Sequence, residues 1–208
     1  MDNLELVRTH VPWFLPRYLS FQQNIMRADA VRYIYMYKYG GFYADLDVEC
    51  LASHVPLAQC GGVLMPLMSD DYSGLHNVPN AWLASEPGHP FWLFVLTRIL
   101  HDERPNSPEA VTGPVQLIKS LKAYNAQKCD PKGEFGGVRY VEPGLIFPYD
   151  RNRQNGLGGI CSAQSSGFSE QECKEKLKVS ASSAYSITYW SHSWADESAL
   201  KNLHKERR

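Results

Sequence analysis

Apolar residues recur at spacings of three and four between residues 24 and 39. Met26, Ala30, Tyr33 and Tyr37 fall on one face, which predicts an amphipathic helix over residues 24–39 packed against a core. A shorter helix is expected over residues 3–9. A turn follows it through residues 11–16, where Pro12 and Pro16 resist helix. Gly40 and Gly41 end the long helix, since glycine readily takes the positive φ of a helix C-terminus. The period then changes. Residues 42–48 carry β-type side chains, and a continuous strand there would turn Asp45 and Asp47 to the same side.

Further along, residues 61–68 read as a buried strand, 70–74 as a polar loop, and 80–85 as a short strand or helix start before a turn at 86–90. Helical spacing returns over residues 91–101. A further helix is expected from Gly113-Pro114 to about residue 123, with proline tolerated in its first turn. Strand-like pieces follow at 138–141 and 145–147. Residues 150–178, rich in Gly, Ser, Gln, Asn and charge, read as an irregular insertion with a short helix at 170–177, and order returns at 184–190. The basic residues 201–208 read as a solvated terminus. Helices alternating with short strands predict one α/β domain over residues 1–208.

With 208 residues, 44% of them hydrophobic and 21% charged, the chain can bury one substantial core. A formal net charge of −1 gives no general attraction to nucleic acid or anionic membranes, so any anionic ligand must be captured locally. No stretch approaches the roughly 20 apolar residues of a membrane span, and residues 1–10 lack the apolar run of a signal peptide. The five cysteines form no CxxC pair, which argues against a structural zinc site. Cys129, Cys161 and Cys173 leave both a loop disulfide and free thiols open.

Asp45 and Asp47 are the chemical focus. Hard cations such as Mn²⁺ or Mg²⁺ prefer oxygen ligands and often take only one or two carboxylates besides phosphate and water. An isolated Asp-x-Asp is more often an exposed loop or strand end than a metal site. Its context here is Arg27-Ala28-Asp29-Ala30-Val31-Arg32-Tyr33, then Tyr39-Gly40-Gly41-Phe42-Tyr43-Ala44-Asp45-Leu46-Asp47-Val48. This pattern resembles the DXD-containing sugar-binding glycosyltransferases, a family that includes fungal initiating α-1,6-mannosyltransferases and inositol-phosphoceramide mannosyltransferases. The clostridial glucosylating toxins resemble it more distantly.

The resemblance implies a GT-A-like nucleotide-sugar-binding fold, a central mixed sheet flanked by helices, here without the N-terminal strand–helix unit with which such proteins usually begin. It implies a retaining transfer of a hexose to a glycan or glycolipid hydroxyl. The ion would be Mn²⁺ or Mg²⁺, and the donor GDP-mannose first and a UDP-hexose second. Carried over residue by residue, Asp45 and Asp47 bind the metal and support catalysis, Asp29 and Arg32 grip the donor sugar, and Asn80 lines its pocket. The terminal segment Tyr189-Trp190-Ser191-His192-Ser193-Trp194 resembles one that closes over diphosphate and metal, making His192 a third ligand or phosphate contact and Trp194 a phosphate contact. Thr112-Gly113-Pro114 resembles a landmark near the acceptor side, and a simple helix cap explains it equally well. A structural ion pair is the other reading of Asp29 and Arg32. A eukaryotic full-length relative implies a Golgi-lumenal or membrane-associated setting. The competing functions are a noncatalytic binder of sugar nucleotide or carbohydrate, and a metal-dependent hydrolase centred on Asp45, Asp47 and His192.

Overall fold

The computed structural model describes residues 2–71, 73–102, 107–126, 137–151, 155–181 and 183–191. In chain order the elements are α1 (Asn3–His10), α2 (Leu15–Ser20), α3 (Asn24–Tyr39), β1 (Gly41–Ala44), β2 (Val48–Cys50), α4 (Val55–Ala58), β3 (Val63–Pro66), β4 (Trp82–Ser85), α5 (Pro90–Leu100), α6 (Pro108–Val111), α7 (Pro114–Ala126), β5 (Val138–Val141), α8 (Gly158–Cys161), α9 (Glu170–Leu177) and β6 (Ser186–Thr188). Two short 3₁₀ turns, Pro12–Phe14 and Asn155–Leu157, complete them.

Helix α1 starts where the Asp2 carboxylate accepts from the Leu4 and Glu5 amides, at 2.6 and 3.1 Å, meeting backbone donors that a helix start leaves unpaired. Residues 15 and 16, expected in the turn, instead open α2. They are helical, because Pro16 occupies the first turn of α2, where no amide hydrogen is needed. Helix α3 carries the core. Met26, Ala30, Tyr33 and Ile34 are buried, and the Tyr33 ring stacks on Trp92 of α5 at a centroid distance of 5.8 Å. Burial of such aromatics removes large apolar areas from water and locks the two helices together.

The expected strand over residues 42–48 is broken. After β1 the Asp45 amide donates to Ala81 O at 2.8 Å, and the Val48 amide donates to Asp45 O at 3.0 Å, closing a turn over residues 45–48. β1 belongs to a four-stranded sheet of order β1-β4-β3-β5, in which only β3 and β5 run parallel, while β2 pairs antiparallel with β6 in a separate ribbon. The acidic pair therefore occupies the crossing from one sheet to the other. β3 is buried along its whole length, as a strand covered on both faces must be.

Residues 145–147 also differ from expectation. They form no strand, and Ile146 and Phe147 pack against Leu64, Trp82, Ala84 and Val141 of the main sheet, with Leu145 O accepting from the Tyr185 amide at 2.7 Å. Helix α9 has the bounds anticipated for it, capped by Ser169, whose side chain accepts from the Glu172 amide. A disulfide joins Cys161 to Cys173, and Cys50 and Cys60 are free thiols, whereas Cys129 lies outside the described residues. Lys174 of α9 pairs with Glu49 of β2, and the Tyr189 hydroxyl donates to the same carboxylate at 2.8 Å. The stapled unit is thus tied to the strand that follows the acidic turn. Among the described residues no helix is long and apolar enough to cross a membrane.

Gly40 closes α3 at φ 60°, and a Cβ there would lie 2.6 Å from both Pro87 N and Ser85 O, whereas Gly41, at φ 78°, has open space around it. Gly40→Ala should therefore lose at least about 2 kcal/mol in denaturant unfolding and Gly41→Ala about 1 kcal/mol; equal losses would contradict the packing at Gly40. Replacing Cys161 and Cys173 together with serine should lower stability by about 3 kcal/mol, the chain entropy of a short closed loop, and unchanged denaturation would contradict that link.

Candidate active site

Helix α3 presents Asp29 and Arg32 one turn apart, and both side chains are almost fully withdrawn from water. Arg32 Nη2 lies 3.1 Å from Asp29 Oδ1, while Nη1 lies 3.2 Å from Asp45 Oδ1 and donates to Asn80 O at 2.7 Å. The guanidinium also covers the Tyr43 ring, 4.9 Å from its centroid. Asp29 is satisfied on both oxygens. Asn80 Nδ2 donates to Oδ1 at 2.8 Å and Thr112 Oγ1 to Oδ2 at 3.0 Å. The Tyr33 hydroxyl accepts from Asn80 Nδ2 and donates to Thr112 O at 2.7 Å. One network thus ties α3, Asn80 in the approach to β4 and the junction of α6 with α7.

The turn between β1 and β2 carries Asp45 and Asp47. The Tyr43 hydroxyl donates to Asp45 Oδ1 at 2.7 Å. Asp47 Oδ2 accepts twice from Ser191, at 3.1 Å from its amide and 2.7 Å from its hydroxyl, and Oδ1 takes no hydrogen bond among the described residues. Between them Leu46 is fully exposed. Ser191 is presented by Trp190, a non-glycine residue at φ 53° whose indole N–H donates to Tyr149 O at 3.1 Å.

Burial pushes the Asp29 carboxyl up, with Arg32, Thr112 and Asn80 opposing it. Burial likewise raises Asp45 against the pull of Arg32 and Tyr43. Burial opposes the Arg32 charge too, but the Asp29 and Asp45 carboxylates override that, so its pKa is raised. Desolvation dominates both carboxylates because one cation serves two anions in a place of low dielectric.

These groups border a cavity of about 940 Å³. Asp29, Arg32, Asp45, Asp47 and Asn80, the site residues expected from sequence, all line it. His192 and Trp194 lie outside the described residues. Both readings of Asp29 and Arg32 survive, since they form an ion pair and also border the cavity. Asn80 commits its amide nitrogen to Asp29 and Tyr33. His89 caps α5 through Nδ1, which accepts from the Phe91 amide, as befits a turn residue. Sequence reasoning missed Tyr43, Ser191 and Glu109 as lining residues. Tyr43 and Ser191 lie inside segments already singled out, but nothing in their spacing says which carboxylate each would meet.

Four carboxylates, Asp29, Asp45, Asp47 and Glu109, line the cavity against the single guanidinium of Arg32 among the described residues. Among those residues no three His, Cys, Asp or Glu side chains gather as a metal cage. Asp45 and Asp47 are hard oxygen donors two residues apart on one turn, which fits a Mn²⁺ or Mg²⁺ ion that completes its shell from ligand phosphates and water.

Residues 1–68 match the family described as the glycosyltransferase sugar-binding region containing the DXD motif. Inositol phosphoceramide mannosyltransferase 2 of Schizosaccharomyces pombe is 46% identical over 140 residues, 65% of this chain and 39% of that protein. Mannosyl phosphorylinositol ceramide synthase SUR1 of Saccharomyces cerevisiae is 33% identical over 144 residues, 67% of this chain and 35% of its own length. Inositol phosphoceramide mannosyltransferase 3 of S. pombe is 39% identical over 95 residues, 46% of this chain and 25% of that relative. The chain therefore spans well under half the length of these relatives. No solved structure matches it significantly. The matched residues 1–68 contain Asp29, Arg32, Asp45 and Asp47, so the charged groups of this site lie within the part of the chain that is similar to the DXD-containing sugar-binding region of glycosyltransferases.

Proposed function

We propose that this chain carries the donor site of a metal-dependent, retaining mannosyltransferase, which moves mannose from a sugar nucleotide, GDP-mannose first, to a hydroxyl of an inositol phosphoceramide. The acidic excess of the cavity carries the reading. A nucleoside diphosphate is repelled by four carboxylates facing one guanidinium, so it needs a divalent cation to enter. Asp45 and Asp47 would hold that cation, which when bound neutralises charge on the departing diphosphate. The kind of sugar and acceptor rests on the relatives, which are named as mannosyltransferases or synthases of inositol phosphoceramides.

The chain's own residues have separable tasks. Arg32 donates to Ala28 O through Nε and to Asn80 O and Asp45 through Nη1, while Nη2, 3.1 Å from Asp29 Oδ1 as an ion pair, would turn an N–H to a hydroxyl of the donor hexose. Asp29, held on both oxygens, fixes the angle of that guanidinium. Ser191 fixes Asp47. The network is pre-organised, so little side-chain freedom is lost when the donor binds.

Asp47→Asn should abolish metal-supported donor binding and turnover while the thermal midpoint moves by only a few degrees, because Asp47 lies at the cavity edge. Turnover persisting in this variant would overturn the assignment. Arg32→Ala should also remove activity, but with a loss of about 3–5 kcal/mol in stability, since it leaves Asp29 buried without its cation. A stable Arg32→Ala chain would show that the pair contributes little to the fold. Retention of configuration predicts an α-mannoside, and an anomeric NMR spectrum showing a β product would contradict it.

A further inference from the structure

One carboxylate in the cavity has no assigned task. Asp29 is held by Arg32, Asn80 and Thr112, Asp45 by Arg32 and Tyr43, and Asp47 by Ser191. Glu109 lines the same cavity and forms no hydrogen bond or ion pair with any described residue. We propose that Glu109 is an acceptor-binding residue, whose carboxylate accepts a hydrogen bond from a hydroxyl of the polyol acceptor and holds it beside the donor sugar. The proposal rests on the glycosyltransferase reading of the cavity.

The backbone beneath Glu109 is built for such a task. It follows Pro108, which starts α6 with a fixed φ. The Thr112 and Gly113 amides both donate to Pro108 O, at 2.9 and 2.8 Å. Thr112 then anchors this turn to the buried site, through its hydroxyl to Asp29 and its carbonyl to Tyr33. Gly113 allows close contact, since a Cβ there would lie 2.9 Å from Glu109 Cα and 3.3 Å from Asp29 Oδ2. The turn that bears Glu109 is therefore locked to the carboxylate that orients Arg32, and only the Glu109 side chain is left free to meet a ligand. Pro108 and Pro114 line the cavity beside it without any side-chain polar atom, so of the lining residues 108, 109 and 114 it is Glu109 that supplies a charged acceptor.

The carboxylate, with acceptor capacity on both oxygens, suits a hydroxyl-rich ring better than it suits a phosphate, which it would repel. It thus recognises the polyol part of an acceptor headgroup. A bare phosphate does not fit this wall.

The test uses the full chain with Mn²⁺, GDP-mannose as donor and detergent-dispersed inositol phosphoceramide as acceptor, comparing wild type with Glu109→Ala, Glu109→Gln and Glu109→Asp. Glu109 is exposed, so the variants should melt with the wild type. Loss of a hydrogen bond to a charged acceptor should raise the acceptor KM roughly tenfold or more in Glu109→Ala, less in Glu109→Gln, with partial recovery in Glu109→Asp. The donor Kd, measured by calorimetry, should stay within about twofold, a split that general damage to the cavity would not produce. An unchanged acceptor KM in all three variants, with wild-type transfer intact, overturns the role of Glu109 alone. Wild type that neither binds GDP-mannose nor transfers mannose overturns the glycosyltransferase reading, and the role of Glu109 with it.

Discussion

A guanidinium shared between two carboxylates organises this molecule. Withdrawing Arg32 and Asp29 from water costs several kcal/mol per ion, and such burial persists only where hydrogen bonds satisfy the remaining polar atoms. Here they do. Asn80 contributes its backbone carbonyl to Arg32 and its amide to Asp29, Thr112 closes the second oxygen of Asp29, and Asp45 offers Arg32 a second anion. Each partner comes from a different part of the chain, so meeting the electrostatic demand of one helix fixes the entry to β4, the acidic turn and the α6–α7 junction relative to it.

That constraint links the fold to its chemistry. The stacked Tyr33 and Trp92 hold α3 in the core through one face, and the adjacent face carries the charged pair to the cavity. The break between β1 and β2 sends the chain from the main sheet into the ribbon with β6, so Asp47 is supported by Ser191 from the far end of the sequence. The disulfide-closed unit of α8 and α9 braces that ribbon through Lys174 and Glu49. Burial of the Glu49 carboxyl favours its neutral form, but bonds from Lys174 and Tyr189 outweigh it and lower its pKa.

What was legible in the sequence follows from range. Helix α3 could be bounded from its periodic face and its two closing glycines because all of that information is local. The cluster of Asp29, Arg32, Asp45 and Asp47 could be suspected from motif order. The conformation of residues 45–47 could not, because the period-2 rule presumes an unbroken ladder, and it is the Ala81 carbonyl and the β6 partner that interrupt it. Helices α4 and α6 span a single turn, too short for any periodic signal. Ile146 and Phe147 read as strand because they are apolar, yet they are buried by packing against Leu64, Trp82, Ala84 and Val141 of the main sheet without joining its ladder. Ser191 and Glu109 acquire meaning only when distant segments meet at one cavity.

The central claim is that an acidic cavity receives an anionic donor only together with a divalent ion. Calorimetric titration of GDP-mannose into the wild-type chain, with Mn²⁺ and again with excess chelator, tests it most directly. The account predicts saturable binding that disappears when the ion is removed. Binding of equal strength in chelator, or none by a folded chain with Mn²⁺ present, would contradict it.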